Sequence, residues 1–242
     1  MRIPRFYYPE LTGDEEEIKL PLAIHRHAVQ VLRLKSGGVL RLFNGAGLEI
    51  EAVMDSVSKR ESTAKLLMVV QNDIESPLSL TLIQGVSRGD RMDYTLQKAV
   101  ELGVNKIVPV TTERCNVQLS GQRAQKKMDH WQGVIISASE QSGRCKLPIL
   151  CPIMLFDEMV AKFNIGSRLI LEPTAALGFK SLPVQMETSL LIGPEGGFSD
   201  EEVHTAVKQG FQAIKFGPRI LRTETAAVSA LAVLQAMWGD LG

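Results

Sequence analysis

Few of the features that announce a specialised class are present. Three cysteines, Cys115, Cys145 and Cys151, and four histidines form no Cys-x-x-Cys pair and no zinc spacing. Reduced thiols are expected, and neither a disulfide framework nor a metal centre. Aromatic residues are only 5%, which argues against an RNA-binding sheet paved with stacking rings. Neither sign of charge prevails, with Lys+Arg and Asp+Glu at 27 each, so no global field marks a nucleic-acid partner. No run approaches the about 18–20 apolar residues that span a bilayer. MRIPRFYYPE at the start has no apolar signal-peptide core. The expectation is a soluble, cytoplasmic protein with no membrane association and no metal.

What is present is an ordinary apolar content of 45% over 242 residues, enough for one large domain or two of common size. Residues 84–150 hold ten Lys/Arg against six Asp/Glu, a local net of +4. Residues 1–72 are β-rich. VLRLFNGAGLEIEAVMD (39–55) alternates on either side of Asn-Gly-Ala-Gly, a hairpin pattern, and STAKLLMVVQ (62–71) adds a strand. Between Leu22 and Leu34 the pattern is one short helix. Such a region suggests a small barrel, and QNDIESP (71–77) is a linker.

Beyond it strands alternate with helices. Strands are expected at 78–86, 106–110, 148–153, 168–172, 188–193 and 213–217. Helices are expected at 91–103, 121–141, 155–163, 199–210 and 223–238. That rhythm indicates a mostly parallel sheet covered on both faces. LLIGPEGGFSDEEV (190–203) is a strand, a glycine-rich loop and a helix start, because Ser199 and Glu202 have capping-box spacing. In open α/β sheets ligands sit where such loops leave the carboxyl ends of strands. The loop is neither Gly-x-Gly-x-x-Gly nor a P-loop, and Glu195 would repel a phosphate. A tight connection without ligand is the alternative. AIKFGPRILRTETAAVSALAVLQAMW (213–238) repeats the architecture, ending in a helix with no polar face. Such a helix is buried on several sides, either inside this chain or against a second subunit.

IGPEGGFSDEE (192–202) and FGPRILRTETA (216–226) together resemble the C-terminal signature of the RsmE family of SPOUT-class methyltransferases. LQKAVELGVNKIVPVTTER (96–114), EQSGR (140–144), HAVQVLRLKSGG (27–38) and FNGAG (43–47) resemble further blocks in the same order. The resemblance implies an enzyme that methylates N3 of a uridine in 16S rRNA of the small ribosomal subunit, using S-adenosylmethionine. It implies a PUA-like RNA-binding barrel over 1–72, then a SPOUT methyltransferase domain over 73–242 with a C-terminal trefoil knot, working as a homodimer. The cofactor loops carried over are Leu171-Glu172, Gly193, Pro194, Glu195, Gly196 and Gly197, and Gly217 to Thr225 with Ile220, Leu221, Arg222 and Thr225. Their glycines would let backbone reach the adenosyl group. The sulfonium cofactor carries no phosphate, so Glu195 is no obstacle. Departures from the family pattern at Arg26-His27, Gly38 and Cys115 concern the RNA-facing half.

Methylation at N3 requires loss of a proton and stabilisation of an imide anion, a task suited to arginine. Candidates are Arg114, Arg144 and Arg222, with Arg144 first for base or RNA contact and Arg222 for organising the site. Glu140 or Glu224 would accept the proton or orient an arginine, a structural ion pair being the alternative for each. Arg123, Lys126 and Lys127 share a helix face at i, i+3 and i+4, and with Arg2, Arg5, Arg26, His27 and Arg33 would grip phosphates. A solvated basic face is the alternative. Two other functions stay open at this stage: a SPOUT enzyme acting on another nucleotide, and a non-catalytic RNA-binding assembly factor.

Overall fold

The computed structural model describes residues 3–116, 120–164 and 166–242. The chain divides into two compact units, 3–75 with 139–147, and 76–138 with 148–242.

In the first unit, β1 (Arg5–Tyr7), β2 (Glu17–Lys19), β3 (Val39–Phe43), β4 (Glu49–Val57) and β5 (Ser62–Val69) form one sheet in the order β1-β3-β4-β5-β2. The β3–β4 hairpin forms around Asn44–Leu48, with Leu40 opposite Ala52 and Leu42 opposite Ile50. Asn44 closes the turn because its side-chain oxygen accepts from the N–H groups of Ala46 and Leu48. A short helix α1 (Leu22–His25) continues as a π-helical turn, Arg26–Val31. Alternate residues of the strands, Phe6, Leu40, Leu42, Ile50, Ala52, Met54 and Ala64, bury with Ile24 and Ala28 in one core.

The second unit contains a sheet of parallel pairings in the order β11-β13-β10-β12-β6-β7-β8, with β9 also on β7. The strands are β6 (Ser79–Gly85), β7 (Lys106–Thr111), β8 (Ile149–Leu150), β9 (Met154–Leu155), β10 (Ser167–Leu171), β11 (Leu177–Gly178), β12 (Glu187–Ile192) and β13 (Gln212–Lys215). The helices are α2 (Asp90–Glu101), α3 (Gly121–Ser142, whose last turn belongs to the first unit), α4 (Phe156–Lys162), α5 (Asp200–Lys208) and α6 (Thr223–Trp238). One face of the sheet packs Ile83, Val108, Ile170 and Leu191 against Met159 of α4 and Ala206 of α5. Their strand neighbours Leu82, Ile107, Leu169 and Leu190 point to the other face by alternation and are equally buried. Both faces are therefore covered, and the sequence rhythm holds.

The patterns missed β1, β2 and β11, strands of two or three residues that are too short to show a period. Of the expected strand 148–153 only β8 forms, ending before Pro152, and β9 lies just beyond that span.

The apolar helix is covered along one side. α6 buries Thr223, Ala227, Ala230, Leu231, Leu234 and Trp238, one stripe at helical spacing. Val228, Ala232 and Val233 are half-exposed and Met237 is 38% exposed, so the described residues cover only one side.

Candidate active site

Three loops leave the carboxyl ends of neighbouring parallel strands and line one cleft within the second unit: 171–174 after β10, 192–198 after β12 and 216–222 after β13. Arg91 from α2, Arg114 from the loop after β7, Asp200 and the first turn of α6 complete it. The strand order brings these ends together although they are distant in the chain.

The capping box on α5 forms. Ser199 N–H donates to Glu202 Oε2 (2.9 Å), and Glu202 N–H donates to Ser199 Oγ (3.3 Å). Glu202 Oε1 also accepts from the N–H of Glu113 (2.8 Å), so one buried carboxylate ties the helix start to the loop carrying Arg114. Ser199→Ala is expected to lower stability by about 1 kcal/mol, and Glu202→Ala by more, because it also orphans the Glu113 N–H. Urea denaturation of the two variants measures the difference.

The glycines of 193–197 divide into different roles. Gly197 sits at φ +68° with nothing within 4 Å of where a Cβ would stand, so it serves the turn and leaves space. A Cβ on Gly196 would stand 2.9 Å from Cβ and O of Arg114. Gly196 therefore admits the neighbouring backbone of Arg114 on that side. A tighter approach lies below the loop, where a Cβ on Gly85 would fall 2.5 Å from N and Cδ of Pro194. Gly85→Ala is expected to cost about 1–3 kcal/mol of overpacking and to push the 193–197 loop outward. A lower melting temperature together with weakened cofactor binding would be the signature. Beneath the loop, Thr223 Oγ1 donates to Gly193 O (2.6 Å) and Gln84 Nε2 to Thr223 Oγ1 (3.0 Å), fastening α6 to β12.

Charge in the cleft is organised by Arg91, which sequence reasoning missed. Its guanidinium contacts Glu195 (2.9 Å) and approaches Glu224 (4.0 Å), and the Arg88 N–H also donates to Glu195 Oε1 (2.9 Å). No local signal marked it, since Asp90 and Asp93 share that first turn and already satisfy the helix dipole. Burial alone would raise the Glu195 pKa, but the Arg88 N–H, its own backbone N–H and Arg91 outweigh it and hold it below 4.5. This contact's contribution is therefore fully present above pH 4.5 and fades as the pH falls through the depressed value. Glu195 Oε2 and Glu224 Oε2 are both buried without a partner among the described residues.

Of the expected cofactor positions, Leu171, Glu172, Gly193 to Gly197, Gly217, Ile220, Leu221 and Arg222 line this cleft. Thr225 does not. Helical spacing turns it outward and puts Ala226 on the cleft side. Arg114, Arg222 and Glu224 line the cleft as well.

Arg144 and Glu140 do not. Arg144 is only 4% exposed, and its guanidinium embraces Glu75 in the first unit (Nη2 to Oε2 2.7 Å, Nε to both oxygens 3.2 Å). Glu140 Oε1 accepts from the N–H of Tyr7 (3.0 Å). Arg5 donates to the carbonyls of Ser139 (2.8 Å) and Arg144 (3.1 Å) and pairs with buried Glu49 (2.7 Å). The EQSGR block is thus a clasp that binds residues 139–147 into the first unit. Arg144 and Arg5 are committed inside it and are not offered to a base or a phosphate, which corrects both expectations. Burial pushes the Glu140 carboxyl above 4.5, offset in part by the Tyr7 N–H, His27 and Arg5. Ionising Glu140 therefore works against the fold, and Glu140→Gln is expected to raise the melting temperature at pH 7. The gain should vanish below pH 4.5, where the carboxyl is protonated folded and unfolded alike.

The remaining basic candidates are mostly at the surface. Arg26, His27, Arg33, Arg123 and Lys126 are exposed and Lys127 is half-buried. His27 stacks edge-on against Phe6 (5.4 Å). Arg2 lies outside the described residues. Among the described residues no group of three His, Cys, Asp or Glu side chains could hold a metal, and no helix is long and apolar enough to cross a membrane.

Residues 74–235 match an RNA methyltransferase domain, and residues 25–67 match an RNA methyltransferase PUA domain. Ribosomal RNA small subunit methyltransferase E of Buchnera aphidicola (subsp. Schizaphis graminum) is 34% identical, with 99% of this chain and 98% of that protein covered. A Neisseria gonorrhoeae ribosomal RNA small subunit methyltransferase E, solved bound to S-adenosyl methionine, is 41% identical over all of both chains with a TM-score of 0.94. A Legionella pneumophila protein solved with the cofactor SAM is 40% identical over all of both chains, at a TM-score of 0.96. Sequence and fold agree along the whole length, and the chain belongs to the ribosomal RNA small subunit methyltransferase E family.

Proposed function

We propose that the chain transfers a methyl group from S-adenosylmethionine to N3 of a uridine in 16S rRNA of the small ribosomal subunit. The cleft of the second unit is its active site. The observation that carries this reading is the convergence of three family loops, Leu171-Glu172, Gly193–Gly197 and Gly217–Arg222, on one cleft.

The residues present fit the cofactor. Gly197 and Gly217, both at φ +68°, have open space where a Cβ would stand, so the adenosyl group can approach backbone there. Glu195 and Glu224 each keep a buried carboxylate oxygen without a partner among the described residues, acceptors for the polar groups of a ligand, in a cleft where Arg91, Arg114, Arg219 and Arg222 balance Glu172, Glu195, Asp200 and Glu224. The cofactor supplies an electrophilic methyl group on a sulfonium sulfur. As the N3–H proton leaves, the N3 lone pair forms the new bond to carbon and the carbon–sulfur bond breaks. Arg222, at the N-terminus of α6, stabilises the charge spread over the uracil imide, and Arg114 orients the base. Glu224, in the first turn of α6, takes up the proton or holds an arginine in place.

Residues 1–72 act as the RNA-binding domain, and Arg26, His27, Arg33, Arg123, Lys126 and Lys127 hold phosphates. The half-covered apolar face of α6 supports a homodimer, and ribosomal RNA as substrate supports a cytoplasmic location. A knotted chain path around the cofactor loops, as in other SPOUT domains, belongs to the same proposal.

Titration calorimetry with S-adenosylmethionine on wild type and Ala226→Trp tests the site. That substitution fills the cleft from a helical position without backbone strain. Saturable wild-type binding, lost in the folded variant, is expected, followed by methyl transfer to small subunits lacking the mark. Absence of both binding and transfer with subunits present would leave an RNA-binding assembly factor in its place.

A further inference from the structure

In the first unit, β5 stops alternating halfway. Ser62 and Ala64 are buried, but Leu67, Met68 and Val69 are 56%, 64% and 61% exposed. One side of this segment pairs with β4, where Glu51 faces Met68 and Ile50 faces Val69, with a register shift between Glu51 and Ala52. On the other side β2 pairs only as far as Lys65, and one further bond runs from Leu66 N–H to Glu16 O (2.9 Å). Beyond Leu66 no strand among the described residues continues that edge. The chain before β2 diverges through Gly13 (φ +91°), leaving a groove between Gly13–Glu17 and the end of β5, floored by Ile50.

An open edge carrying three consecutive apolar side chains is a template for another strand, and proteins ordinarily cover or charge such edges. The far wall of this groove is Asp14, Glu15, Glu16 and Glu17. Its one lysine, Lys65, is already paired with Asp55 (2.8 Å). The acidic wall repels a phosphate backbone and attracts lysine and arginine. We propose that this edge takes up an extended, Lys/Arg-rich protein segment as an added strand, its apolar residues on Leu67–Val69 and its cations along Asp14–Glu17. The function proposed above enters only in naming the small ribosomal subunit as the place where that segment is met.

The test places benzoylphenylalanine at Met68, and separately at Leu67, in the full chain, and irradiates it with purified small subunits lacking the methyl mark. The expected adduct maps to a Lys/Arg-rich stretch of a subunit protein. Its yield should fall about tenfold in a Glu15→Lys/Glu16→Lys background, because close charge pairs govern such encounters. Adducts with RNA or with a second copy of the chain overturn the proposal. So does a yield that charge reversal leaves unchanged, or no adduct from either position. Methyl transfer measured on the same samples is a separate readout. Its absence beside a charge-sensitive protein adduct would sink the enzymatic reading and leave this one standing.

Discussion

Arg5→Ala is expected to destabilise the first unit by about 3–5 kcal/mol, the cost of removing one partner from a buried ion pair. The Arg5 and Glu49 side chains are 7% and 1% exposed, so water cannot replace the lost charge. Asn72 Nδ2 would remain as a donor to Glu49, but a neutral amide does not offset a buried carboxylate. The carbonyls of Ser139, Glu140 and Arg144, which now share the guanidinium, would lose their donor at the same step. Arg5→Lys should recover only part of the loss, because one ammonium cannot span that fork of acceptors. Urea unfolding of the two variants gives the magnitude. If Arg5→Ala instead left stability intact and only weakened RNA binding, the clasp would be ornamental and Arg5 a phosphate ligand after all.

Arg222→Met is expected to lower kcat by about 100-fold, in the range for removing one donor that faces developing negative charge. Arg222 lines the cleft at the entrance to α6 and is exposed, so the loss should reach the fold hardly at all. Neighbouring Thr223 keeps its bond to Gly193 O and preserves the helix start. Measuring kcat with saturating RNA and the cofactor Kd separately divides two roles. A fall in kcat with Kd nearly constant assigns Arg222 to the uracil anion. A raised Kd with unchanged kcat would make it a cofactor ligand and move the anion-stabilising role to Arg114.

Much of this molecule was legible as periodicity and spacing. The β3–β4 hairpin, the alternation of strands and helices after residue 78, and the bounds of α6 follow from local side-chain pattern. The capping box needed only Ser199 and Glu202 three residues apart. The glycine-rich loop stood out as a site because it ends an apolar strand and begins an acidic helix. What failed was assignment by motif alone. EQSGR was a family block and Arg144 and Glu140 candidates for the chemistry, yet both side chains serve a buried clasp. Arg91 drew no attention in the sequence, yet it reaches the cleft carboxylates of Glu195 and Glu224.

The sequence by itself determined the elements and which loops carry unusual backbone, because both depend on neighbours within a few residues. Only the tertiary structure decided which charges meet. Strand order sets Leu171, Gly193 and Gly217 side by side across more than forty residues, and burial decides whether an arginine is a strut or a contact. A guanidinium is the same group in Arg5, Arg91 and Arg222. Its partners, supplied by distant segments, make it a clasp in the first, an organiser of charge in the second and a group open to the cleft in the third.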